Sequence, residues 1–481
     1  MNPGRLLFPA IRWHHTSGYE AARDEIERGL AFGAGGFILF GGTAATAAAL
    51  IRELRGRSPH PMLFAADLER GAGQQFAGAT VLPPAAAFGA LDDLAYTRNA
   101  GALTAREARA IGVNWILAPV ADIDIVAENP IVGTRSFGAD PVRVAAHVKA
   151  WIEGCREQGA LATAKHFPGH GRTTGDSHAL LPVVSADAGE LQADLAPFAA
   201  AIDAGVDAIM SAHVAYPALD ESGSPATLST VLLNALLRGR LHFDKLIVTD
   251  ALNMAGVQQG GAGEVGAALR AVEAGCDVLL YPDDSAAALA ALDAARQSGR
   301  LDPQRLGQAI ARVDAAARRA NLPAATRFGT GEDRAWAEHI ALAAVQPLRG
   351  TPRLPANEIR LAVIDDDLGG PFAPPPRDAF ADTLRRAGIV VRENEEADTD
   401  APTLIAVYCD VRAWKQRAGC SARTIDAVRN VLGEGDAPVV LFGHPRIAAQ
   451  LPGRNVLGAW GGESIMQQAA ARWLLRKGSG E

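Results

Sequence analysis

Short apolar runs alternate with Ala-rich helical stretches along the first two thirds of the chain. Eight of these runs have the length and hydrophobic character of buried strands, at residues 5–11, 36–40, 62–67, 113–119, 160–166, 208–214, 245–250 and 278–281. Helical patterns fall between them, for example at residues 21–31, 94–111, 141–158 and 263–274. Successive strand–helix units of this size predict an α/β fold, a (β/α)8 TIM-like barrel.

A second, smaller α/β region follows a segment rich in Pro and Gly between residues 322 and 357, which also holds a helical pattern at residues 335–344. Beyond it, strand-like runs recur at residues 359–364, 388–392, 403–408, 438–442 and 455–458. Helical patterns at residues 377–387, 422–432 and 464–475 intervene. We therefore expect a barrel over residues 1–325, a linker with a helix over 326–357 and an α/β/α sandwich domain over 358–481.

Composition and charge restrict the class of protein. Hydrophobic residues make up 48% and charged residues 21% of the 481 residues, which is typical of a globular chain rather than a disordered one. The formal net charge of −8 argues against a nucleic-acid or anionic-membrane surface, and no segment is apolar over the length that spans a bilayer. Neither a G-x-G-x-x-G nor a P-loop sequence occurs, so a nucleotide is not expected.

The cysteines and the first residues indicate a cytoplasmic protein. The cysteines are widely scattered and form no C-x-x-C pair, which is typical of free thiols in a reducing compartment: Cys155, Cys276, Cys409 and Cys420. The first residues contain no apolar core of signal-peptide length. No feature of the sequence specifies an oligomeric state.

The residues from Lys165 to His178 carry the densest set of titratable side chains in the sequence. They read Lys-His-Phe-Pro-Gly-His-Gly-Arg-Thr-Thr-Gly-Asp-Ser-His and continue a predicted strand. The glycines and the proline exclude a regular helix or strand beyond Phe167, so the segment is a loop at a strand end. In (β/α)8 barrels the C-terminal ends of the strands carry the chemistry. Other predicted strand ends also carry polar residues, namely Asp67, Asp122, Asp124, His213 and Asp250.

Two other interpretations of this loop compete with a catalytic one. One histidine near a strand end is usually a hydrogen-bonded structural residue, but three histidines with a lysine and an aspartate favour a functional loop. Histidine and aspartate are also common metal ligands. The helical H-E-x-x-H arrangement is absent, however, and Lys165 would repel a cation beside His166. We therefore expect no metal and no other cofactor.

Further motifs occur in a fixed order around this loop. They are Gly133-Thr-Arg-Ser-Phe-Gly, Ser211-Ala-His-Val-Ala-Tyr-Pro, Pro225-Ala-Thr-Leu-Ser and Val248-Thr-Asp-Ala-Leu-Asn-Met. Together with Lys165 to Gly171 and Asp176 to His178, they resemble the signature of glycoside hydrolase family three, specifically its β-N-acetylglucosaminidase branch. The resemblance covers residues 1 to about 330, whereas the last third matches the family only in general character.

The resemblance implies a role for each matching residue. Asp250 corresponds to the family nucleophile, which forms a covalent glycosyl-enzyme in a retaining mechanism. His178, oriented by Asp176, corresponds to the general acid and base. The residues expected to bind the sugar or to lie close to those that do are Asp67, Arg135, Lys165, His166 and His213. The residues alone leave another interpretation of Asp250 open, because aspartate also caps helices and a helix could begin at Ala251.

One position departs from the family pattern. The family usually places an arginine that grips the sugar eight residues after the aspartate that corresponds to Asp67, but this chain has Gln75 there. Arg70 is close in sequence, yet it does not occupy the family's position. The resemblance therefore does not extend to this sugar-binding arginine.

The resemblance predicts an exo-acting enzyme that removes terminal β-N-acetylglucosamine from peptidoglycan fragments during recycling in the cytoplasm. The expected partner is a small carbohydrate, with no nucleic acid and no membrane. A β-glucosidase or xylosidase of the same family is an alternative, and its acid would be a glutamate such as Glu463. Phosphorolysis is another, since a histidine acid leaves no negative charge to repel phosphate. The alternative from a different class is an inactive sugar-binding protein.

Overall fold

The computed structural model describes residues 1–175, 180–261, 263–321, 327–370, 373–393 and 401–478. The chain divides into a barrel unit, formed by Met1–Val81, Asp93–Ile125 and Ala139–Thr330, and a sheet unit, formed by Leu82–Asp92, Val126–Gly138 and Gly331–Glu481. Two internal segments within the expected barrel thus belong to the sheet unit. The domain bounds at residues 325 and 357 stay a prediction.

Parallel strands build the barrel unit. They are β1 Leu7–Phe8, β2 Ala10–Arg12, β3 Gly36–Phe40, β4 Leu63–Ala66, β5 Trp115–Ile116, β6 Leu161–Phe167, β7 Ala208–Ser211, β8 Leu246–Thr249 and β9 Leu279–Leu280. The order β2-β3-β4-β5-β6-β7-β8 forms one sheet, and β1 pairs with β9 in parallel. A bridge from Val248 to Val278 links β8 to the approach of β9, which completes the ring. The predicted (β/α)8 barrel is confirmed.

The first barrel strand is interrupted at one residue. Pro9 separates β1 from β2, because proline has no N–H to contribute to the strand ladder. β1 pairs with β9 on one side of the break, and β2 pairs with β3 beyond it. The two pieces therefore act as one strand with two neighbours, and the predicted run at residues 5–11 ends one residue early.

Helices lie between the strands. In chain order the α-helices up to the end of the barrel unit are α1 Arg23–Phe32, α2 Ala44–Arg57, α3 Ala85–Leu91, α4 Leu94–Ile111, α5 Pro141–Glu157, α6 Ala188–Asp203, α7 Ala255–Gly261, α8 Glu264–Ala274, α9 Ser285–Gln297 and α10 Pro303–Ala320. Of these, α3 belongs to the sheet unit. A π-helix spans Val231–Arg240, and short 3-10 helices span Pro3–Leu6, Tyr19–Ala22, Ala72–Gln74, Gly133–Arg135 and Ala226–Leu228.

Local sequence explains where these helices start and how closely they pack. Asp140 accepts a hydrogen bond from the backbone N–H of Arg143 and precedes Pro141, which suits the first position of α5. Gly101 in α4 and Gly154 in α5 allow the two helices to approach closely, since a Cβ at Gly154 would lie 1.9 Å from a carbonyl oxygen of α4. Larger residues at these positions would force the helices apart.

Apolar residues fill the barrel interior, and charged residues close its N-terminal end. Inward-facing strand residues such as Ile38, Ala65 and Val248 form one buried core with the apolar face of α10. Asp277, which is fully buried before β9, forms ion pairs with Arg238, Arg305 and Arg312. These ion pairs lie at the end of the barrel that stabilises the fold, so the opposite end is left for chemistry.

The sheet unit is a six-stranded α/β/α sandwich. Its strands are β10 Gln346–Arg349, β11 Glu358–Asp365, β12 Val390–Glu393, β13 Thr403–Cys409, β14 Val439–Gly443 and β15 Val456–Gly458, in the order β10-β15-β14-β13-β11-β12. Among the described strands of this sheet, only the pairing of β10 with β15 is antiparallel. Its helices after the barrel are α11 Gly331–Ala344, α12 Ala379–Arg386, α13 Ala422–Leu432 and α14 Ser464–Gly478, with 3-10 helices at Ala413–Lys415 and Pro445–Ala449.

The two faces of this sheet carry different helices. On one face Val407 and Leu441 form a core with Val428 of α13. On the other, Tyr408 stacks on Phe442, which also contacts Phe380 of α12. The predicted sandwich is therefore confirmed. Among the described residues, no helix has both the length and the apolar character needed to cross a membrane.

Candidate active site

The carboxyl ends of the barrel strands bring together most of the predicted site residues. Asp67 follows β4 directly, and Lys165 and His166 lie within β6. His213 follows β7 after one residue, and Asp250 follows β8 directly. Because all these strands are parallel, their carboxyl ends share one rim of the barrel. We call the set Asp67, Glu69, Asp122, Lys165, His166 and Asp250 the rim cluster.

Lys165 is held between two carboxylates. Its Nζ lies 2.8 Å from Asp67 Oδ1 and 2.8 Å from Glu69 Oε1. The side chain of Lys165 is only 3% exposed, whereas that of Asp67 is 30% exposed. Lys165 thus compensates the charges and fixes the position of Asp67 while leaving that carboxylate open to a ligand. Glu69 was not predicted as a site residue from the sequence, although its place two residues after Asp67 was a usable signal.

Asp122 fixes the position of the His166 side chain. It is fully buried, and its Oδ2 lies 2.7 Å from His166 Nδ1, while its Oδ1 accepts backbone hydrogen bonds from His166 and His170. Burial opposes ionisation of Asp122, but the charge and hydrogen bond of His166 outweigh it and lower the pKa of the carboxyl. Since Nδ1 of His166 is engaged by Asp122, His166 would contact a ligand through Nε2.

His170 is a structural part of the loop. Its ring is buried, and Nδ1 lies 2.7 Å from Thr173 Oγ1. Burial, reinforced by the charge of His166, lowers the pKa of His170 to about 4, so the ring is neutral near pH 7. Arg172 then ties the loop to α6, because its Nε donates to Asp194 Oδ2 at 2.7 Å. The loop is therefore anchored as far as Thr173.

Asp250 is half-buried at the end of β8. Its Oδ1 accepts a hydrogen bond from the backbone N–H of Ala251 at 2.8 Å. The next helix, α7, begins only at Ala255, so Asp250 is not a helix N-cap at position 251. The structural alternative for this aspartate is therefore wrong, and the carboxylate lies on the same rim as Lys165 and Asp67.

His213 lies behind the Asp250 segment. It is fully buried, its Nδ1 lies 2.8 Å from Thr227 Oγ1, and its Nε2 lies 3.0 Å from the carbonyl oxygen of Ala251. Both ring nitrogens thus bind protein groups. This geometry favours a positioning role for His213, which fixes the backbone after Asp250, over direct contact with a sugar.

Three predicted residues are not placed at the rim by the described structure. Arg135 closes the 3-10 helix Gly133–Arg135 in the sheet unit, where its Nη1 donates to the carbonyl oxygen of Ile131 at 3.3 Å. Asp176 and His178 lie outside the described residues. The roles expected for these three side chains stay predictions.

Gln75 has a structural contact of its own. Its Oε1 accepts a hydrogen bond from the backbone N–H of Gly41, directly after β3, at 3.0 Å. Arg70, its charged neighbour in sequence, donates its backbone N–H to Gln74 Oε1 at 2.8 Å. Gln75, which stands at the family's arginine position, therefore supports the loop that follows β3.

The alternative acid Glu463 lies in the sheet unit, at the start of α14. It is 8% exposed, and a Cβ on Gly461 would lie 2.4 Å from its Oε2, so the carboxyl packs against that glycine. In the described part of the chain, no group of three or more His, Cys, Asp or Glu residues is arranged to hold a metal ion.

The rim cluster combines a half-exposed carboxylate with fixed donors and acceptors. Asp250 has the chemistry of a nucleophile, while Lys165, Asp67 and His166 can exchange hydrogen bonds with hydroxyl groups of a ligand. Such an arrangement suits a carbohydrate more than an apolar ligand.

Comparison with known proteins connects this geometry to one family. The model of the glycosyl hydrolase family 3 N terminal domain matches residues 24–316. The chain is 35% identical over 382 residues to a beta-N-acetylglucosaminidase/beta-glucosidase of Cellulomonas fimi, a match that covers 74% of this chain and 68% of that protein. It is 42% identical over 272 residues to a beta-hexosaminidase of Methylococcus capsulatus, covering 54% of this chain and 80% of that protein.

A solved structure agrees over the whole chain. The glycoside hydrolase family 3 beta-N-acetylglucosaminidase of Paenibacillus sp. str. FPU-7 superposes with a TM-score of 0.88 at 28% identity. The match covers 99% of this chain and 96% of that one, so both the barrel and the sandwich have counterparts there.

Proposed function

Since the chain belongs to glycosyl hydrolase family 3, we propose that it is a retaining, exo-acting β-N-acetylhexosaminidase that hydrolyses terminal β-N-acetylglucosamine from glycosides. Relatives named as hexosaminidases support the activity, and one of them is 42% identical over 272 residues. The observation that carries the proposal is the rim cluster, in which Asp250 and the Lys165–Asp67 pair share the carboxyl ends of the barrel strands.

Asp250 is the proposed nucleophile. In the first step a bond forms between its carboxylate oxygen and C1 of the sugar, while the bond from C1 to the leaving-group oxygen breaks. In the second step the oxygen of a water molecule attacks C1, and Asp250 leaves again as a carboxylate. The position of Asp250 directly after β8, where no helix uses it as a cap, supports this role.

His178 is the proposed acid and base, with Asp176 as its orienting partner. His178 would protonate the leaving oxygen in the first step and accept a proton from water in the second. The sequence motif supports this assignment. Replacing His178 by alanine should cost about 10²- to 10⁴-fold on a natural disaccharide and little in the first bond cleavage of a nitrophenyl glycoside, because nitrophenolate leaves without protonation. Equal losses on both substrates would contradict it.

The sugar itself would be held by three residues of the rim. Asp67 accepts from hydroxyl groups, Lys165 donates to them, and His166 donates or accepts through Nε2, since Asp122 holds its Nδ1. Lys165 and Asp67 hold each other, and Asp122 holds His166, before a ligand arrives, which lowers the entropy cost of binding. Arg135 is a further proposed contact, on the basis of its sequence motif.

We also propose terminal N-acetylglucosamine of peptidoglycan fragments in the cytoplasm as the natural substrate. Four free cysteines, three of them buried, support a reducing compartment. Release of N-acetylglucosamine from a GlcNAc–MurNAc disaccharide, compared with chitobiose, tests the substrate. A clear preference for chitobiose would contradict it.

A panel of chromogenic substrates tests the activity. The purified protein is assayed with nitrophenyl β-N-acetylglucosaminide, β-glucoside and β-xyloside, each with and without phosphate. We expect the first to be hydrolysed fastest, with phosphate leaving the rate and the free-sugar product unchanged. Preference for glucose or xylose would favour the glucosidase alternative. A sugar 1-phosphate as product would show phosphorolysis, and inactivity on every substrate would favour a sugar-binding protein.

A further inference from the structure

An exposed arginine lies on the same rim without a role in the proposed mechanism. Arg12 ends β2, and its guanidinium carbon lies 4.0 Å from the ring centre of Phe40 and 4.9 Å from that of Tyr281. Its Nε donates a hydrogen bond to the Tyr281 hydroxyl at 2.9 Å. Phe40 ends β3 and Tyr281 follows β9, so the three side chains occupy neighbouring strands.

The strand register places Arg12 on the inner side of the barrel. Arg12 pairs with Phe40, and Ala10 pairs with Ile38, which in turn pairs with Ala65 of β4. Ala10, Ile38 and Ala65 contact the barrel core, and side chains alternate between the two faces of a strand.

Two residues further along each strand, the next row of side chains with the same inward direction consists of Arg12, Phe40 and Asp67. Asp67 follows β4 directly, so this row lies just beyond the last core positions. In this row only β3 lies between Arg12 and Asp67, a residue that is expected to bind the sugar.

The two aromatic rings fix the guanidinium while leaving the residue exposed to solvent. Arginine stacks well on aromatic faces, and its planar fork can donate paired hydrogen bonds to neighbouring oxygen atoms. Holding the side chain in one place before binding lowers the entropy that a ligand contact would cost. A surface arginine with only a packing role would not need the inward-facing position.

Gln75 adds a second, independent connection. Its Oε1 accepts from the N–H of Gly41, the residue after Phe40. The position at which the family usually has a sugar-binding arginine thus supports the strand end on which Arg12 stacks. The chain has no guanidinium at position 75 and carries one on the rim at position 12.

We propose that Arg12 is a substrate-binding residue that donates hydrogen bonds to hydroxyl groups of the terminal sugar and supplies the guanidinium that Gln75 does not. The inference rests on the proposed glycosidase function, because it assigns a contact within that site. Arg12 is a specific donor at the end of β2, a part of the rim for which the sequence motifs give no sugar contact.

The test compares Arg12→Gln and Arg12→Lys with a matched control, Arg55→Gln. Arg55 in α2 also lies over an aromatic ring, that of Phe64, at 5.4 Å, but it belongs to a helix outside the rim. On nitrophenyl β-N-acetylglucosaminide, we expect kcat/KM of Arg12→Gln to fall about 30- to 100-fold. KM should rise because the bound substrate loses a charged hydrogen bond, and kcat should fall because that bond is stronger in the transition state.

Arg12→Lys should lose about tenfold, since it keeps the charge but not the fork. Arg55→Gln should stay within about twofold of the parent, the effect expected of a surface substitution. Adding Gln75→Arg to Arg12→Gln should recover part of the lost activity, which a purely structural role of Arg12 does not predict. Thermal unfolding of each variant reports whether it is folded.

An active parent whose Arg12→Gln variant is folded and has unchanged kcat and KM would overturn the inference and leave the proposed function intact. If Arg12→Gln did not fold, the same judgement would be made from Arg12→Lys, with unchanged kinetics again overturning it. A parent inactive on every β-glycoside would instead overturn the proposed function.

Discussion

Two charged clusters in this protein occupy equivalent places in their sheets, yet they differ in how their charges are satisfied. The rim cluster lies at the carboxyl ends of the barrel strands. The sheet cluster, Asp365, Asp366, Asp367, Arg377, Asp410 and Lys415, lies at the carboxyl ends of β11 and β13 in the sheet unit. β11 and β13 are the neighbours at which the strand order reverses, which is where open α/β sheets commonly bind ligands. Position alone would therefore make both clusters candidate sites.

The sheet cluster is satisfied by its own neighbours. Asp366 accepts hydrogen bonds from Ser421 and Thr424, and Lys415 Nζ lies 2.9 Å from both Asp366 and Asp367. Burial opposes ionisation of Asp366, but the hydrogen bonds from Ser421, Thr424 and Lys415 outweigh it and hold the pKa of the carboxyl well below its usual range. The side chains of Asp366, Asp367 and Lys415 are at most 2% exposed. This cluster therefore fastens the loops of the sandwich.

The rim cluster keeps part of its charge accessible. The side chain of Asp67 is 30% exposed, and Asp250 is half-buried. Charges at strand ends therefore indicate a ligand site when some of them stay open to solvent. In the sheet cluster every carboxylate side chain is at most 10% exposed and lies among local donors, and there the same arrangement indicates stability. Substitutions in the two clusters should therefore affect different quantities, the rim cluster mainly activity and the sheet cluster mainly stability.

The largest effect is expected from Asp250→Asn. The change keeps the size of the side chain but removes the charge that bonds to C1, so we expect kcat/KM to fall by about 10³-fold or more, about 4 kcal/mol of transition-state stabilisation. The midpoint of thermal unfolding should hardly move, because the side chain is half-buried and can still accept from Ala251. A large loss of stability with unchanged activity per folded molecule would show that Asp250 stabilises the fold and is not the nucleophile.

Lys415→Met should show the opposite pattern. The buried carboxylates of Asp366 and Asp367 would lose a shared cation, and we expect the free energy of unfolding to fall by about 3 kcal/mol. Activity per folded molecule should stay near the parent value at temperatures where the variant is folded. Urea unfolding and a chromogenic assay on the same sample measure both quantities.

The matched control for this change is Lys165→Met, which removes the lysine that two carboxylates share in the rim cluster. Here water can solvate Asp67, whose side chain is 30% exposed, so the loss of stability should be smaller than for Lys415→Met. The activity should fall about 10²-fold, with KM raised and kcat lowered. If both lysine variants lost stability and activity to the same extent, the distinction between the clusters would be wrong.

The smallest effect is a dependence of stability on pH that both units share. Burial lowers the pKa of His170 in the barrel unit and of His444 in the sheet unit to about 4, from an ordinary value of 6.5. Between these values the unfolded chain binds a proton that the folded chain does not. Each histidine should therefore weaken stability as the pH falls through this window, by about 2 kcal/mol at pH 5.

The measurement for this pair is urea unfolding at pH 7 and pH 5. His170→Gln and His444→Gln should each show a smaller loss between the two pH values than the parent. If either variant lost as much stability between pH 7 and pH 5 as the parent, that histidine would not contribute to the pH dependence. Activity is not the readout, because His170 lies in the loop before His178.

The sequence predicted the fold because burial on both faces makes parallel strands into continuous apolar runs. The runs at residues 36–40 and 403–408 match β3 and β13 to within one residue. The strand β10, Gln346–Arg349, was missed, because it is half-exposed at the sheet edge and contains Pro347. Strands of this kind lack the apolar run on which the prediction depends.

The site was predictable where a residue follows a strand directly, as for Asp67 and Asp250. The role of Asp122 was not, since it depends on a hydrogen bond to His166, which is 44 residues away in sequence. The contact of Gln75 with Gly41 likewise joins two strand ends that only the closed barrel brings together. Local motifs thus identify which residues can react, and the tertiary structure decides which residues position them.

Trapping the covalent intermediate tests the central claim, that the rim cluster is the catalytic site and Asp250 its nucleophile. A 2-deoxy-2-fluoro glycoside with a dinitrophenyl leaving group slows the hydrolysis of the glycosyl-enzyme, so that the intermediate accumulates. Peptide mass spectrometry of the inactivated protein should locate the added sugar on Asp250, and Asp250→Asn should remain unlabelled. A sugar found instead on Asp67, on Glu69 or on any carboxylate of the sheet cluster would contradict the account.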